Sequence, residues 1–224
     1  LGKNICPPMA MPCWEKGLSS RVETHRALVV DHCCSLKTPV AFRCPYKALS
    51  DSSEKIRSQA NQCILTKNWS RKAEAMKTAL KDDSLKIRTQ VINHLEATPP
   101  TSRMKEVMAI AIKDKNLGLA SKAVKVLVGS GHSWAGELFG QVMQEPREKL
   151  KIEALKSVSE RYDPWVFEAL KTSASDASVK LRLQAVSVAA GLKDKRAQEV
   201  LTLFTKDKNR QVSKKAQAGL ASKE

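Results

Sequence analysis

Aliphatic residues recur along this chain at a nearly constant interval. One column holds Ile56, Ile87, Leu119, Leu150, Leu181 and Val212; four residues further on stands a second, Ala60, Val91, Ala123, Ala154, Ala185 and Ala216. Five residues before the first column an acid opens each segment, at Asp51, Asp82, Asp114, Glu145, Asp176 and Asp207, in steps of 31 or 32 residues. A spacing of four puts both aliphatic columns on one helical face and the polar residues between them on the other. A unit of this length is one supersecondary element that buries its apolar face only against its neighbours. The expectation is an all-α fold: a right-handed α-solenoid, or superhelix, of about six helical pairs with a Cys-rich N-terminal cap.

The elements can be placed along the chain. Residues 1–13 carry three prolines and are expected to be an extended or looped leader. Leu18, Val22, His25, Val29 and Cys33 fall at helical spacing, predicting one helix from Trp14 to about Leu36. Pro39 and Pro45 bracket a stretch, Val40 to Cys44, read as β-like or irregular, and a short helix with Ala48 and Leu49 follows. The array proper then alternates first and second helices: Trp69–Lys81 with Ser84–Ala97, Met104–Lys113 with Leu117–Val128, Trp134–Gln144 with Arg147–Glu160, Val166–Ser173 with Val179–Leu192, and Ala197–Thr205 with Gln211–Leu220. Pro99-Pro100 and Gly129-Ser130-Gly131 are stop signals, and Asp163-Pro164 is a start. This divides the chain into a Cys/Pro-rich leader and capping helix over residues 1–47 and a repeat array over 48–224.

Composition sharpens this picture in two ways. Aromatics are only 4% of residues, so the core must be built of Leu, Ile, Val and Ala, which suits packed helices. The net charge of +16 predicts attraction to polyanions or acidic partners. No apolar stretch approaches the ~20 residues needed to span a bilayer as a helix. The chain opens at Leu1, as expected of a sequence from which an upstream segment has been removed or left out.

A turn acid, an aliphatic followed by Arg, and Ala four residues after the aliphatic resemble the second helix of HEAT repeats. Asp51 with Ile56-Arg57, Asp82 with Ile87-Arg88 and Asp176 with Leu181-Arg182 carry the likeness best. Ala120 and Ser213 stand where Arg is expected, and Lys151 substitutes in the Glu145 unit. The period is similar to the short HEAT-like units of phycobilisome lyase-type repeats, over roughly residues 45–222. The resemblance implies a scaffold rather than a catalyst, with the second helices lining a concave surface. Because acid and Arg recur once per unit, each acid is expected to cap a second helix and each Arg to bond to the neighbouring repeat's turn.

On that surface the sequence places a basic stripe. Lys55, Lys86, Lys149 and Lys180 stand one residue before the first aliphatic; Lys122 and Lys215 four residues on; Lys125 and Lys156 three further. These eight lysines are the candidate partner-binding residues, for an acidic protein or for a member of a larger complex. A nucleic-acid-binding solenoid is the second reading, since Lys neutralises phosphate without reading sequence. Trp69, Trp134 and Trp165 sit near the starts of first helices and are expected to pack between neighbouring repeats.

All six cysteines, Cys6, Cys13, Cys33, Cys34, Cys44 and Cys63, precede residue 64. An even, clustered set suggests disulfides stapling the cap onto the first repeat, with 15 connectivities open. It would place the protein outside the cytoplasm, in a periplasm or a secretory lumen. Buried free thiols are the second reading. The third is a metal or iron–sulfur redox site drawing on His25, His32, Met9, Met11 and these cysteines, although no CxxC pair is present. No cofactor and no catalytic residues are assigned: the four histidines are scattered, His94 is read as a surface residue, and no phosphate loop or nucleophile elbow occurs. Asn68-Trp69-Ser70 fits the glycosylation acceptor pattern.

Overall fold

The computed structural model describes residues 11–222, with side chains from residue 14 onward. Among the described residues the chain is helical throughout, with fourteen α-helices, two short 3-10 turns and no strand. First and second helices alternate in chain order: α1 (Met11–Leu18) and α2 (Glu23–Ser35), α3 (Arg43–Ala48) and α4 (Glu54–Thr66), α5 (Lys72–Ala79) and α6 (Leu85–Ala97), α7 (Lys105–Ala111) and α8 (Leu117–Gly129). There follow α9 (Ala135–Met143) with α10 (Glu148–Ser157), α11 (Pro164–Ser173) with α12 (Val179–Gly191), and α13 (Lys195–Phe204) with α14 (Arg210–Ala221). The chain packs as two compact units, one ending at Ile110 and one starting at Ala111. In the first, the second helices α2, α4 and α6 lie side by side; in the second, α8, α10, α12 and α14 do so, with α9, α11 and α13 packed against them.

The two aliphatic columns form the seam of this stack. Ile56, Ile87, Leu150, Leu181 and Val212 are fully buried, as are Ala60, Val91, Ala123, Ala154, Ala185 and Ala216. Each large member contributes about 1.5–3 kcal/mol by leaving water, while the alanines let neighbouring backbones approach. First helices add their own layer, in which Met76, Met108, Phe139, Phe167 and Phe204 are among the bulkiest buried side chains.

The turn between the helices of a pair is built the same way each time. The acid does not cap the second helix, as was expected; it accepts from the backbone amide two residues on, at 2.7–2.8 Å for Asp51, Asp82, Asp114, Asp176 and Asp207. The cap is the residue reached by that bond: Ser84, Asn116, Ser178 and Asn209 each accept from an amide in the first turn of their helix. A carboxylate that tightens the turn is left with lone pairs for a second donor, and a small polar residue suits the cap itself.

That second donor comes from the preceding repeat. Arg26 forks onto Asp51, Arg57 onto Asp82 and Arg182 onto Asp207, each with Nε at 2.7 Å and Nη2 at 2.9–3.1 Å; Lys151 reaches Asp176. The same guanidinium also donates through Nη1 to a carbonyl of its own turn, as Arg57 does to Asp51 O and Arg182 to Asp176 O. Burial pushes these carboxyls up, but the facing cations and the backbone amides outweigh it and hold Asp51, Asp82, Asp176 and Asp207 below the usual carboxylate range.

This ladder extends further toward the N-terminus than the acids alone indicate. Arg26 donates to Ser20 O, six residues before it, as Arg57 does to Asp51 O. The α1–α2 pair is therefore built on the plan of the repeats, with Ser20 at the acid position, and the six expected pairs become seven. Three local expectations fail here. Helix begins at Met11 rather than after residue 13, because a proline in the first turn has no amide partner to lose. The single helix over 14–36 is broken at Ser19–Val22, where Ser20 Oγ accepts from Val22 N and Val22 stands exposed. Val40 to Cys44 is a 3-10 turn over Pro39–Phe42 leading into α3, with Pro39 at the start and Ala41, Phe42 and Cys44 buried.

Candidate functional site

The lysine stripe divides by column. Lys55, Lys86, Lys149 and Lys180 lie at the second position of α4, α6, α10 and α12, all exposed. Lys55 stands 3.9 Å from Glu23, a loose surface pair. Lys125 and Lys156 are exposed on α8 and α10, with Lys156 paired to Glu153 one turn away. The middle column serves a different purpose. Gln59 donates to Ala27 O and Asp31 of α2, Gln90 to Ser58 Oγ of α4, and Lys215 to Ser187 Oγ of α12. These side chains bridge neighbouring second helices, joined by Asn61, which is wholly buried and donates to Ile87 O and Gln90. Lys122 occupies the same column on α8 and is half-buried. Of the eight candidate lysines, Lys55, Lys86, Lys125, Lys149, Lys156, Lys180 and Lys215 are exposed, Lys215 while also reaching Ser187; Lys122 is half-buried.

The cysteines join the N-terminal pair to the array. Cys33 is bonded to Cys44, with Cα atoms 6.3 Å apart, and Cys34 to Cys63, at 5.8 Å. Adjacent residues of α2 are thus tied to α3 on one side and α4 on the other. Loop-closure entropy gives each bridge about 3–4 kcal/mol. Cys33 and Cys44 are buried with Val29 beneath Trp14 and Leu18. In this pairing those four sulfurs offer no thiolate to a metal, and no group of three or more His, Cys, Asp or Glu side chains converges among the described residues. Cys6 and Met9, and the side chains of Met11 and Cys13, lie outside the described residues.

The tryptophans behave unequally. Trp69 meets Phe42 edge-on at 5.2 Å and Trp165 meets Phe139 at 5.0 Å, each bridging to the preceding pair. Trp134 instead stacks on His132 of its own turn at 4.8 Å. Trp69 precedes α5 rather than opening it, because the segment before Lys72 is a turn.

One concave site was not anticipated. In the first unit a cleft of about 400 Å³ lies between the start of α5 and the end of α6, closed by the loops around Asn68 and Pro99–Met104. Trp69, Met76, Leu95 and Met104 give it apolar walls, and Lys72, His94 and Arg103 are its ionisable groups; no Asp or Glu lines it. Lys72 is half-buried and donates to Leu65 O at 2.9 Å. Burial pushes its ammonium down; burial, with the nearby Lys72 charge, does the same to the His94 imidazolium. His94 is thus a half-buried cleft residue, where the sequence pattern suggested a surface one. The clue in the sequence was the lengthened inter-repeat connection, Thr98-Pro99-Pro100-Thr101, which leaves room between two helix ends.

Several solved structures are similar in course. Human deoxyhypusine hydroxylase in complex with glycerol is 12% identical over 95% of this chain and 83% of that one, with a TM-score of 0.47. The complex of CpcE and CpcF of phycocyanin lyase from Nostoc is 13% identical over 100% of this chain and 98% of that one, at 0.44. A designed armadillo repeat protein in complex with the peptide (KR)4 is 14% identical over 96% and 100%, at 0.41. No family model and no curated protein matches the chain. Its assignment as an all-α array of repeated helical pairs rests on its own period and on the ion pairs that join turn to turn.

Proposed function

We propose that this protein is a non-catalytic scaffold or assembly subunit that binds an acidic protein along the exposed face of its second helices. One observation carries the reading: the turn acids and the stripe lysines are sorted by depth. Asp51, Asp82, Asp176 and Asp207 are spent inside the turn ladder, while Lys55, Lys86, Lys149 and Lys180 project at one repeated position into solvent. Neighbouring helices pack about 8–10 Å apart, so each unit offers two ammonium groups at that spacing. An extended acidic segment can meet such a pair without any shaped pocket. The disulfides favour an oxidising compartment, periplasmic or secretory, in which the N-terminal pair stays tied to the array.

Titration with labelled polyglutamate and with duplex DNA of matched charge tests this reading. We expect polyglutamate to bind at low salt and the quadruple variant Lys55→Glu, Lys86→Glu, Lys149→Glu, Lys180→Glu to lose that binding while unfolding at the same denaturant concentration. DNA binding that survives the variant, or polyglutamate binding indifferent to it, would overturn the assignment. A steep fall of DNA affinity with salt would put a nucleic-acid backbone in place of the acidic protein.

A further inference from the structure

The cleft between α5 and α6 has an unbalanced composition. Its walls are apolar, yet a half-buried lysine, a histidine and an arginine point to it with no carboxylate in its lining. The carboxylate two residues from Lys72, Glu74, is already engaged: Arg71 forks onto it at 2.8 Å through two nitrogens and Tyr46 Oη donates at 3.1 Å. Lys72 has three ammonium protons, of which Leu65 O takes one. A cation held partly out of water with a single neutral acceptor gains most from an anion, because Coulomb attraction strengthens where the surroundings are less polar. The remaining wall sets what else the ligand must carry. Trp69, Leu95 and Met104 present a face suited to a large aliphatic or aromatic group. The volume, about 400 Å³, holds one or two side chains and falls within the range of ligand pockets.

We propose that this cleft captures a short acidic–apolar segment of the partner protein, with a carboxylate set against Lys72 and Arg103 and the adjoining apolar side chain against Trp69. Charge complementarity selects this occupant: a purely apolar segment would leave Lys72 uncompensated and a purely acidic one would leave the Trp69 wall bare. The inference rests on the reading of the protein as a binder of an acidic partner and assigns it a specific anchoring point. It is also spatially separate from the lysine face. Lys86 stands at the start of α6 and His94 eight residues on, about 12 Å along the helix axis.

The test uses the full chain, oxidised, and a labelled, end-blocked peptide alternating glutamate with leucine, read by fluorescence anisotropy. We expect the peptide to bind and both Arg103→Ala and Trp69→Ala to weaken it by about tenfold each. The quadruple lysine-face variant should leave this affinity within about twofold. Arg103 is exposed, so its variant folds as the parent does and keeps the test interpretable if Trp69→Ala does not. If polyglutamate fails to bind the lysine face while the alternating peptide still binds the cleft, the surface reading falls and the anchoring site stands. Equal affinity for parent and both cleft variants, no binding by the parent, or binding of decanoate without binding of peptide would overturn the proposal.

Discussion

Ala120 stands where Arg57, Arg88 and Arg182 stand in other repeats, and the turn ladder should break there. It does not, because Arg147 reaches back from the next turn: its Nη1 donates to Asp114 O at 2.6 Å and its Nε to Glu145 at 3.2 Å. One guanidinium thus serves the turn carbonyl and the acid that an arginine at position 120 would have served. Arg147→Ala is expected to lower the unfolding free energy by about 1–3 kcal/mol by stranding those acceptors. Ala120→Arg alone should also destabilise, since Ala120 is fully buried and the acceptors are occupied. The two together should be more stable than either alone, with a coupling of at least about 1 kcal/mol in denaturant titrations; a strictly additive pair would refute the substitution. The ladder was visible in the sequence through Asp and Arg, but this detour was not. Nothing in the spacing of Arg147 shows that it reaches backward rather than outward.

Between elements, glycine separates two opposite effects within α9. A Cβ at Gly136 would lie 2.6 Å from Cγ of Trp165 on the next first helix, whereas one at Gly140 would meet nothing within 4 Å. Gly140→Ala should therefore stabilise by up to about 1 kcal/mol through helix propensity. Gly136→Ala should instead lose about 1–2 kcal/mol net, since displacing a packed indole outweighs that gain. Thermal unfolding of both variants decides the matter, and a stabilised Gly136→Ala would show that Trp165 yields freely. Helix existence and pairing were legible from the aliphatic columns, and most boundaries fell within a few residues. The exceptions share a cause. In α1 and at Pro39, proline reads as a breaker although it occupies a helix start, and at Ser19–Val22 an apolar spacing continues across a turn whose acid has been replaced by serine. The cleft was illegible for a related reason: it is made by connections, and connections carry no period.

For the molecule as a whole, the bridges bias stability toward one end. Cys33–Cys44 and Cys34–Cys63 lie entirely within the unit ending at Ile110, and the unit from Ala111 contains no cysteine. Reduction should therefore speed amide exchange in α2, α3 and α4 by at least about a hundredfold, from the ~3 kcal/mol or more lost with the bridges. Exchange in α12 and α14 should stay unchanged; uniform acceleration would mean that the units unfold as one. The turn ladder carries a further consequence. Each link has a grip on one side and a socket on the other, and in the second unit both recur every 31 residues, from Lys151 through Asp176 and Arg182 to Asp207. Removing residues 176–206 would bring the Lys151 grip directly onto the Asp207 socket. Length in this protein is thus a matter of inheritance by whole links: a gene can lose or copy one without disturbing the joints on either side, while a deletion that is not a whole number of links leaves the joint spanning it out of step.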